Sequence, residues 1–357
     1  MRPATALRSV SPEVAPAPSD AAVLAGILSH VHIDSQGMVR FGDLPPVPVN
    51  LQGVMLPAGT HPLTETLTSL IYHYPYARGV TRDAAAVAGR AAQEDQADPD
   101  PDFLARLSAA NRSRERWDPM WRVYQTGSNG ALSVEKRSVH FQALPGSYLF
   151  VDSPGRTPAA GDFVSVHAPK ESSRVQRGFY FAFGETIASE FDDVLLARLY
   201  FNATAESVPL LVEWLSTDLN RYRIPYRFKC LANPALYDRR DPAVLYIAKR
   251  FLPLWLHLAV SRRDMMQALL RPGTPLFTKP LLDGLGAADE PGGGASFGQS
   301  RSRLVAEGIV AAWLAGGQSV PERLRSIAAC FHAAGLSLAT PHLAEGARDL
   351  YQWPVEN

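Results

Sequence analysis

The hydrophobic period of this chain changes at about Trp121, and that change limits the folds open to it. Before it, apolar residues recur at helical spacing. After it, short runs rich in β-branched and aromatic residues alternate with polar ones and are punctuated by Gly, Asn and Pro. The pattern predicts an α+β fold: a small, mostly helical N-terminal region followed by a larger mixed α/β domain. No repeat with a period of roughly 20–50 residues is visible.

Residues 1–19, rich in Pro, Ala and Ser, predict a disordered tail. Residues 20–120 predict the helical region. Asp20 suits the N-cap of a helix over Ala21–Ser29, Val31–Phe41 predicts a hairpin about Gln36-Gly37, and His61–His73 predicts a helix. Gln93–Asp102 (QEDQADPDPD) predicts a loop. Phe103–Trp117 predicts a polar helix whose Asn111, Arg112, Arg114 and Arg116 form a solvated face.

Residues 121–357 form the larger expected domain. Strands are predicted at Trp121–Thr126, Leu132–Lys136, Phe163–His167, Gly178–Phe183, Val194–Phe201, Tyr226–Leu231 and Ala243–Ala248. Helices are predicted at Glu206–Arg221, Arg301–Ala315 and Val320–Ala334. The apolar stretch Phe251–Val260 reads as core, interrupted by Pro253.

Several function classes are disfavoured. Lys+Arg and Asp+Glu both total 35, so the basic surface that nucleic acid or anionic membrane requires is not expected overall. The two cysteines, Cys230 and Cys330, have no CxxC spacing, which argues against a zinc knuckle or a disulfide framework and fits a reducing cytoplasm. The start of the chain lacks the apolar stretch of a secretory signal, and no run is long enough to span a membrane. His30 and His32 share a strand face, but no third metal ligand is evident, so no metal is expected. Gly294–Gly298 (GASFG) matches the GxSxG pattern of a nucleophile elbow. The preceding AADEPGG does not read as the buried strand such an elbow needs.

What remains is a set of cations within apolar sequence. Val164–Lys170 holds His167 and Lys170. Tyr226–Tyr246 holds Arg227, Lys229, Arg239 and Arg240. Thr274–Arg303 holds Lys279, Arg301 and Arg303. Cations beside apolar strands are costly to bury unless paired or used. Nearby Asp238, Asp241 and Asp283 are alternative partners for any single one of them. Together the cations suggest an anion site. In YRFKCL, Tyr226, Phe228 and Cys230 share one face, and Arg227, Lys229 and Leu231 share the other. A lysine held against an apolar sheet near other cations loses basicity and can serve as a base. Arginines suit a bidentate hold on phosphate.

Asn220–Ala248 (NRYRIPYRFKCLANPALYDRRDPAVLYIA) and Pro275–Arg303, with its TKPL and SFGQSR runs, resemble the HopA1-type family, first named for a type III secreted effector. The resemblance covers roughly residues 120–340. Similar proteins act as lyases in the biosynthesis of class V lanthipeptides and thioamide-containing peptides. The resemblance implies β-elimination of phosphate from phosphoserine or phosphothreonine in a precursor peptide, giving dehydroalanine or dehydrobutyrine. It implies no cofactor. It also implies a separate kinase similar to aminoglycoside phosphotransferases. A heterodimer with that kinase is expected because local concentration raises capture of the phosphorylated peptide, and the leader is expected to dock on the N-terminal region, which lies outside the resembling segments.

The roles expected on that basis are Lys229 as base and His167 as acid, with Lys170 as the alternative cation beside it. Arg239, Arg301 and Lys279 would hold phosphate, with Arg240 and Arg303 as second choices. Tyr237 and Tyr180 are further candidates for the acid. Lys229, Arg239 and Arg301 show a spacing similar to that of phosphothreonine lyases among bacterial effectors. A non-catalytic effector or scaffold module binding a peptide and a kinase is the alternative. The two readings separate on whether Lys229 and the arginines converge on one anion position.

Overall fold

The computed structural model describes residues 20–48, 61–93, 97–136, 139–150, 155–189, 192, 195–292 and 296–354. The expected tail at 1–19 lies outside these residues.

The N-terminal part contains α1 (Asp20–Leu28), a hairpin of β1 (Val31–Ile33) and β2 (Val39–Phe41), α2 (Pro62–Ile71), α3 (Ala85–Gln93) and α4 (Pro101–Ala110). His61 starts α2 by accepting the Leu63 amide on Nδ1 at 3.2 Å, and Pro62 sits in the first turn, where its missing N–H is harmless. The helix runs on into a π-helical turn at Tyr72–Tyr76. Asp100 caps α4 by accepting the Phe103 amide at 2.8 Å.

The expected helix over Phe103–Trp117 is shorter than its sequence suggests and stops at Ala110. Asn111 turns the chain. Its Oδ1 accepts from the Ser113 amide at 3.0 Å, while its Nδ2 donates to the Lys170 carbonyl at 3.0 Å and the Tyr180 hydroxyl at 3.1 Å. Arg116 already belongs to a strand.

That strand is β3 (Arg116–Thr126). With β4 (Leu132–Lys136), β5 (Val139–Ala143), β6 (Tyr148–Leu149) and β7 (Phe163–Ala168) it forms an antiparallel sheet of five strands, ordered β5-β4-β3-β7-β6. One face buries a small core that includes Trp121, Val123, Val134 and Val166.

The larger sheet has seven strands: β8 (Glu171–Ser172), β9 (Phe179–Phe183), β10 (Leu196–Phe201), β11 (Tyr226–Leu231), β12 (Ala243–Ala248), β13 (Lys279–Leu282) and β14 (Leu285–Asp289). Their order is β13-β14-β10-β12-β11-β9-β8, antiparallel throughout. Among the described residues the later α-helices include α5 (Val208–Arg221), α6 (Leu252–Val260), α7 (Arg263–Leu269), α8 (Phe297–Leu314) and α9 (Val320–Ala333).

Alternation along the strands gives this sheet two faces. On one, Leu199, Phe201, Phe228, Cys230 and Leu245 pack against Leu211, Leu215 and Trp255 of α5 and α6. On the other, Tyr200, Val244 and Ala288 lie in one cluster with Leu24, Phe41, Leu67, Val305 and Ile327. Helices α1 to α3 and the first hairpin thus share a core with α8 and α9, whereas α4 puts Phe103 and Leu107 into the core on the other face with α5.

Two local expectations need correction. Pro253 does not interrupt its apolar stretch; it occupies the first turn of α6, where proline is tolerated. The AAD of AADEPGG does form strand, as the end of β14. All of β14 is buried, between β13 and β10 and under helices on both faces, so it shows no alternation to read. Its Asp289 accepts from Lys249 Nζ at 2.6 Å, the Tyr351 hydroxyl at 2.5 Å and the Ala344 amide at 2.9 Å. Ser296 is still no elbow nucleophile. It is the extended N-cap of α8 (φ −68°, ψ 132°), and Glu290–Ala295 separate it from β14. No helix among the described residues is long and apolar enough to cross a membrane.

Candidate functional site

Register places the chemistry in two adjacent cross-strand rows. One row is Arg198 (β10), Tyr246 (β12), Arg227 (β11) and Phe183 (β9). The next is Tyr200, Val244, Lys229 and Phe181 on the same strands. Neighbouring strands are about 4.8 Å apart, so side chains in these rows touch directly or diagonally.

Tyr246 stands between two guanidiniums. Arg198 Cζ is 5.3 Å from its ring centroid and Arg227 Cζ is 5.8 Å from it. Arg198 is buried, and Glu290 holds it in a bidentate pair with Nε donating at 2.6 Å. Arg239, in the turn after β11, is held the same way. Its Nε and Nη2 donate to Asp241 at 2.8 and 3.0 Å, and Nη2 also donates to the Tyr72 hydroxyl at 2.9 Å. Tyr72 reaches this place from the π-helical turn and stacks on Tyr76 at 5.4 Å.

Lys229 is half-buried beside this group and donates to Gln176 Oε1 at 3.1 Å. Burial pushes its ammonium down to about 8, and the charges of Arg198 and Arg239 act in the same direction, opposed by Asp241 and Glu290. Burial raises the Tyr246 hydroxyl against the opposing charge of Arg198, so it keeps its proton at neutral pH. A cavity of about 190 Å³ opens beside the first row, lined by Phe183, Leu196, Tyr226, Arg227 and Tyr246. The result is a weakened lysine base, a protonated phenol and oriented guanidiniums on one sheet face. Such a face can hold an anion while a proton is taken from a neighbouring carbon.

Of the residues singled out from the sequence, Arg227, Lys229 and Arg239 come together here. The others do not join them. His167 lies on β7 in the smaller sheet, where Nε2 pairs with Glu115 and the ring lies 5.1 Å from Trp117. Lys170 turns toward α4, donating to the Ser108 carbonyl at 3.0 Å, with Glu171 at 3.7 Å. Lys279 pairs with Asp349. It stands opposite Ala287, whose side chain belongs to the other face of the sheet.

The remaining arginines are also held elsewhere. Arg301 is buried, with Nε donating to the Pro341 carbonyl at 2.7 Å and Nη2 to the Leu343 carbonyl at 3.0 Å. Arg303 pairs with Glu65 at 2.9 Å and Glu307 at 3.2 Å on the outer side of α8. The Arg240 guanidinium fits against Gly79 and Gly273, where a Cβ would stand 2.0 and 3.1 Å from its Cζ. The alternative acids are committed too: Tyr237 donates to the Leu231 carbonyl at 2.8 Å and Tyr180 to Glu171 at 2.7 Å.

Arg198, Glu290, Tyr246 and Tyr72 were not singled out from the sequence. Arg198 had a usable signal, being a cation in the otherwise apolar run LARLYF, which is buried along its whole length. Tyr72 and Glu290 had none, because only the folded chain brings them to the sheet.

The HopA1 effector protein family matches over residues 170–343, a stretch that includes β8 to β14 and every residue of this cluster except Tyr72. Over this stretch the chain is similar to the HopA1 family. Two solved effector structures from Pseudomonas syringae are similar to the chain. One, from pathovar tomato strain DC3000, is 15% identical, with 79% of this chain and 99% of that one covered and a TM-score of 0.40. The other, from pathovar syringae strain 61, is 14% identical, with 80% and 98% covered and a TM-score of 0.40. No curated protein matches the chain.

Proposed function

We propose that this HopA1-type protein is a phosphopeptide lyase that eliminates phosphate from phosphoserine or phosphothreonine. The observation that carries the reading is Lys229: a half-buried lysine, pushed down to about 8, set among the guanidiniums of Arg198, Arg227 and Arg239 on one sheet face.

In this mechanism neutral Lys229 removes the α-proton of the phosphoresidue. The electron pair left behind forms the Cα–Cβ double bond as the Cβ–O bond breaks, and inorganic phosphate departs with both electrons of that bond. Tyr246 donates a proton to the departing oxygen, and the guanidiniums stabilise the charge that develops there. Glu290 and Asp241 already orient Arg198 and Arg239, which lowers the cost of ordering them around the phosphate. His167 and Lys170 are left out because their partners hold them elsewhere.

The phosphorylated substrate would come from a separate kinase, similar to aminoglycoside phosphotransferases, bound to this chain. Co-elution of the two with the precursor peptide on size-exclusion chromatography tests that pairing, and separate elution would count against it. The lyase reading itself is tested by mass spectrometry of a leader-fused phosphothreonine peptide incubated with the protein. Loss of about 98 Da, absent with Lys229→Ala, is the mass of phosphoric acid and is expected for elimination on this base. Loss of about 80 Da would mean hydrolysis instead and would end this reading.

A further inference from the structure

The cavity beside Arg227 and Tyr246 does not end at the sheet. It shares Thr186, Ala188, Asp192 and Pro225 with a larger one of about 540 Å³, which runs between the two sheets. Four cations line this second cavity: Arg116, Lys136, Arg223 and Arg250. Three have a carboxylate partner in place. Arg116 lies 3.9 Å and Lys136 2.6 Å from Asp118, and Arg250 donates to both oxygens of Asp192 at 2.5 and 3.0 Å. Arg223 is exposed, and its side chain has no hydrogen-bond or ion-pair partner among the described residues.

The backbone at Arg223 makes its identity unusual. The helix α5 ends with the Ile224 amide donating to the Leu219 carbonyl at 2.9 Å and the Arg223 amide donating to the Asn220 carbonyl at 3.1 Å. This double closure requires a left-handed residue just past the helix, a place usually taken by glycine. Arg223 occupies it with φ +52°. An L side chain is strained there, so folding alone favours glycine. The side chain found there is a cation without a partner among the described residues, and it lines the groove.

We infer that this groove seats an extended peptide and that Arg223 selects an acidic side chain close to the phosphoresidue. The inference rests on the phosphopeptide reading for the position of that residue. Arg223 and Arg227 are four residues apart in sequence, which limits their Cα separation to about 13–14 Å. An extended peptide covers that distance in about four residues. The preferred acid therefore lies up to about four positions from the phosphorylated residue, on one side of it only.

The test uses the full chain and fluorescein-labelled Gly/Ala peptides that carry one phosphothreonine. A single glutamate is moved from about one to six positions along either side. Fluorescence anisotropy gives Kd, and mass spectrometry follows elimination of the same peptides. The expected result is tighter binding, by about fivefold, for glutamate at up to about four positions on one side. Arg223→Gly should abolish that preference while leaving Tm at or above the wild-type value, and Arg223→Lys should retain part of it. No positional preference, or the same preference in Arg223→Gly, overturns the inference. The two readings fail separately. A preference that depends on Arg223 without elimination ends the lyase reading and keeps the groove, whereas elimination without the preference ends the groove alone.

Discussion

Lys229 Nζ stands 4.2 Å from the centre of the Phe179 ring. That contact favours the ammonium, yet burial, helped by Arg198, outweighs it and brings the group to about 8. At pH 7 roughly a tenth of Lys229 is then neutral and able to accept a proton. The elimination rate should rise with pH and level off above about pH 8, in step with Lys229 deprotonation. Initial rates between about pH 6 and 9.5 check this, and a rate independent of pH across that range would remove Lys229 from the role of base.

The same shift has a consequence for stability. A base with a depressed folded pKa is a penalty at neutral pH. Between about 8 and the ordinary 10.5 the unfolded chain binds more protons, so stability rises with pH through that window. Lys229→Met should therefore stabilise the fold at pH 7 by about 1–2 kcal/mol, allowing for partial exposure, while abolishing elimination. Thermal unfolding at pH 7 measures the gain, and a lower Tm would contradict the burial argument.

Arg198 helps to weaken Lys229, so its removal should strengthen it. Arg198→Met is expected to move the rise in rate to higher pH and to lower kcat/KM by about 100-fold through lost charge stabilisation. It also leaves Glu290 without its partner, at a cost of about 2–3 kcal/mol. The double variant Arg198→Met/Glu290→Met should recover the Tm but not the rate. Recovery of both would make the pair a packing device.

What could be read from the sequence divides along physical lines. The two faces of β11 follow from local alternation, and its burial bears them out: Tyr226, Phe228 and Cys230 are buried, Arg227 is exposed and Lys229 half-buried. The cation buried in LARLYF carries the same kind of signal at Arg198. The end of α4 was not legible, because Asn111 stops it using Lys170 and Tyr180, far away in sequence. Nor was β14, since a strand covered on both faces loses its period. The scattered cations of 274–303 look alike in sequence. Only folding separates Lys279, tied to Asp349, from Arg303, tied to Glu65 and Glu307.

Tyr246 combines a ring packed between Arg198 and Arg227 with a hydroxyl that keeps its proton. Tyr246→Phe preserves the ring and its cation contacts and removes only the hydroxyl. Its Tm should stay close to wild type, while kcat falls by about 100-fold and KM changes little. If kcat is retained, the proton comes from another group or from water, and Tyr72 is then the next substitution to make.

Arg301 has a different expected signature. Its guanidinium is almost fully buried, burial lowers it to about 10, and its donors go to the Pro341 and Leu343 carbonyls, tying the C-terminal segment to α8. Arg301→Met removes the donors and strands both carbonyls, a loss of about 3 kcal/mol. Tm should fall accordingly. At a temperature where the variant remains folded, kcat/KM should stay within about threefold of wild type, because no step of the proposed elimination passes through this side chain. A kcat loss as deep as that of Lys229→Ala, in protein that circular dichroism shows to be folded, would instead bring Arg301 into the phosphate site and require a rearrangement of the 341–343 segment on substrate binding.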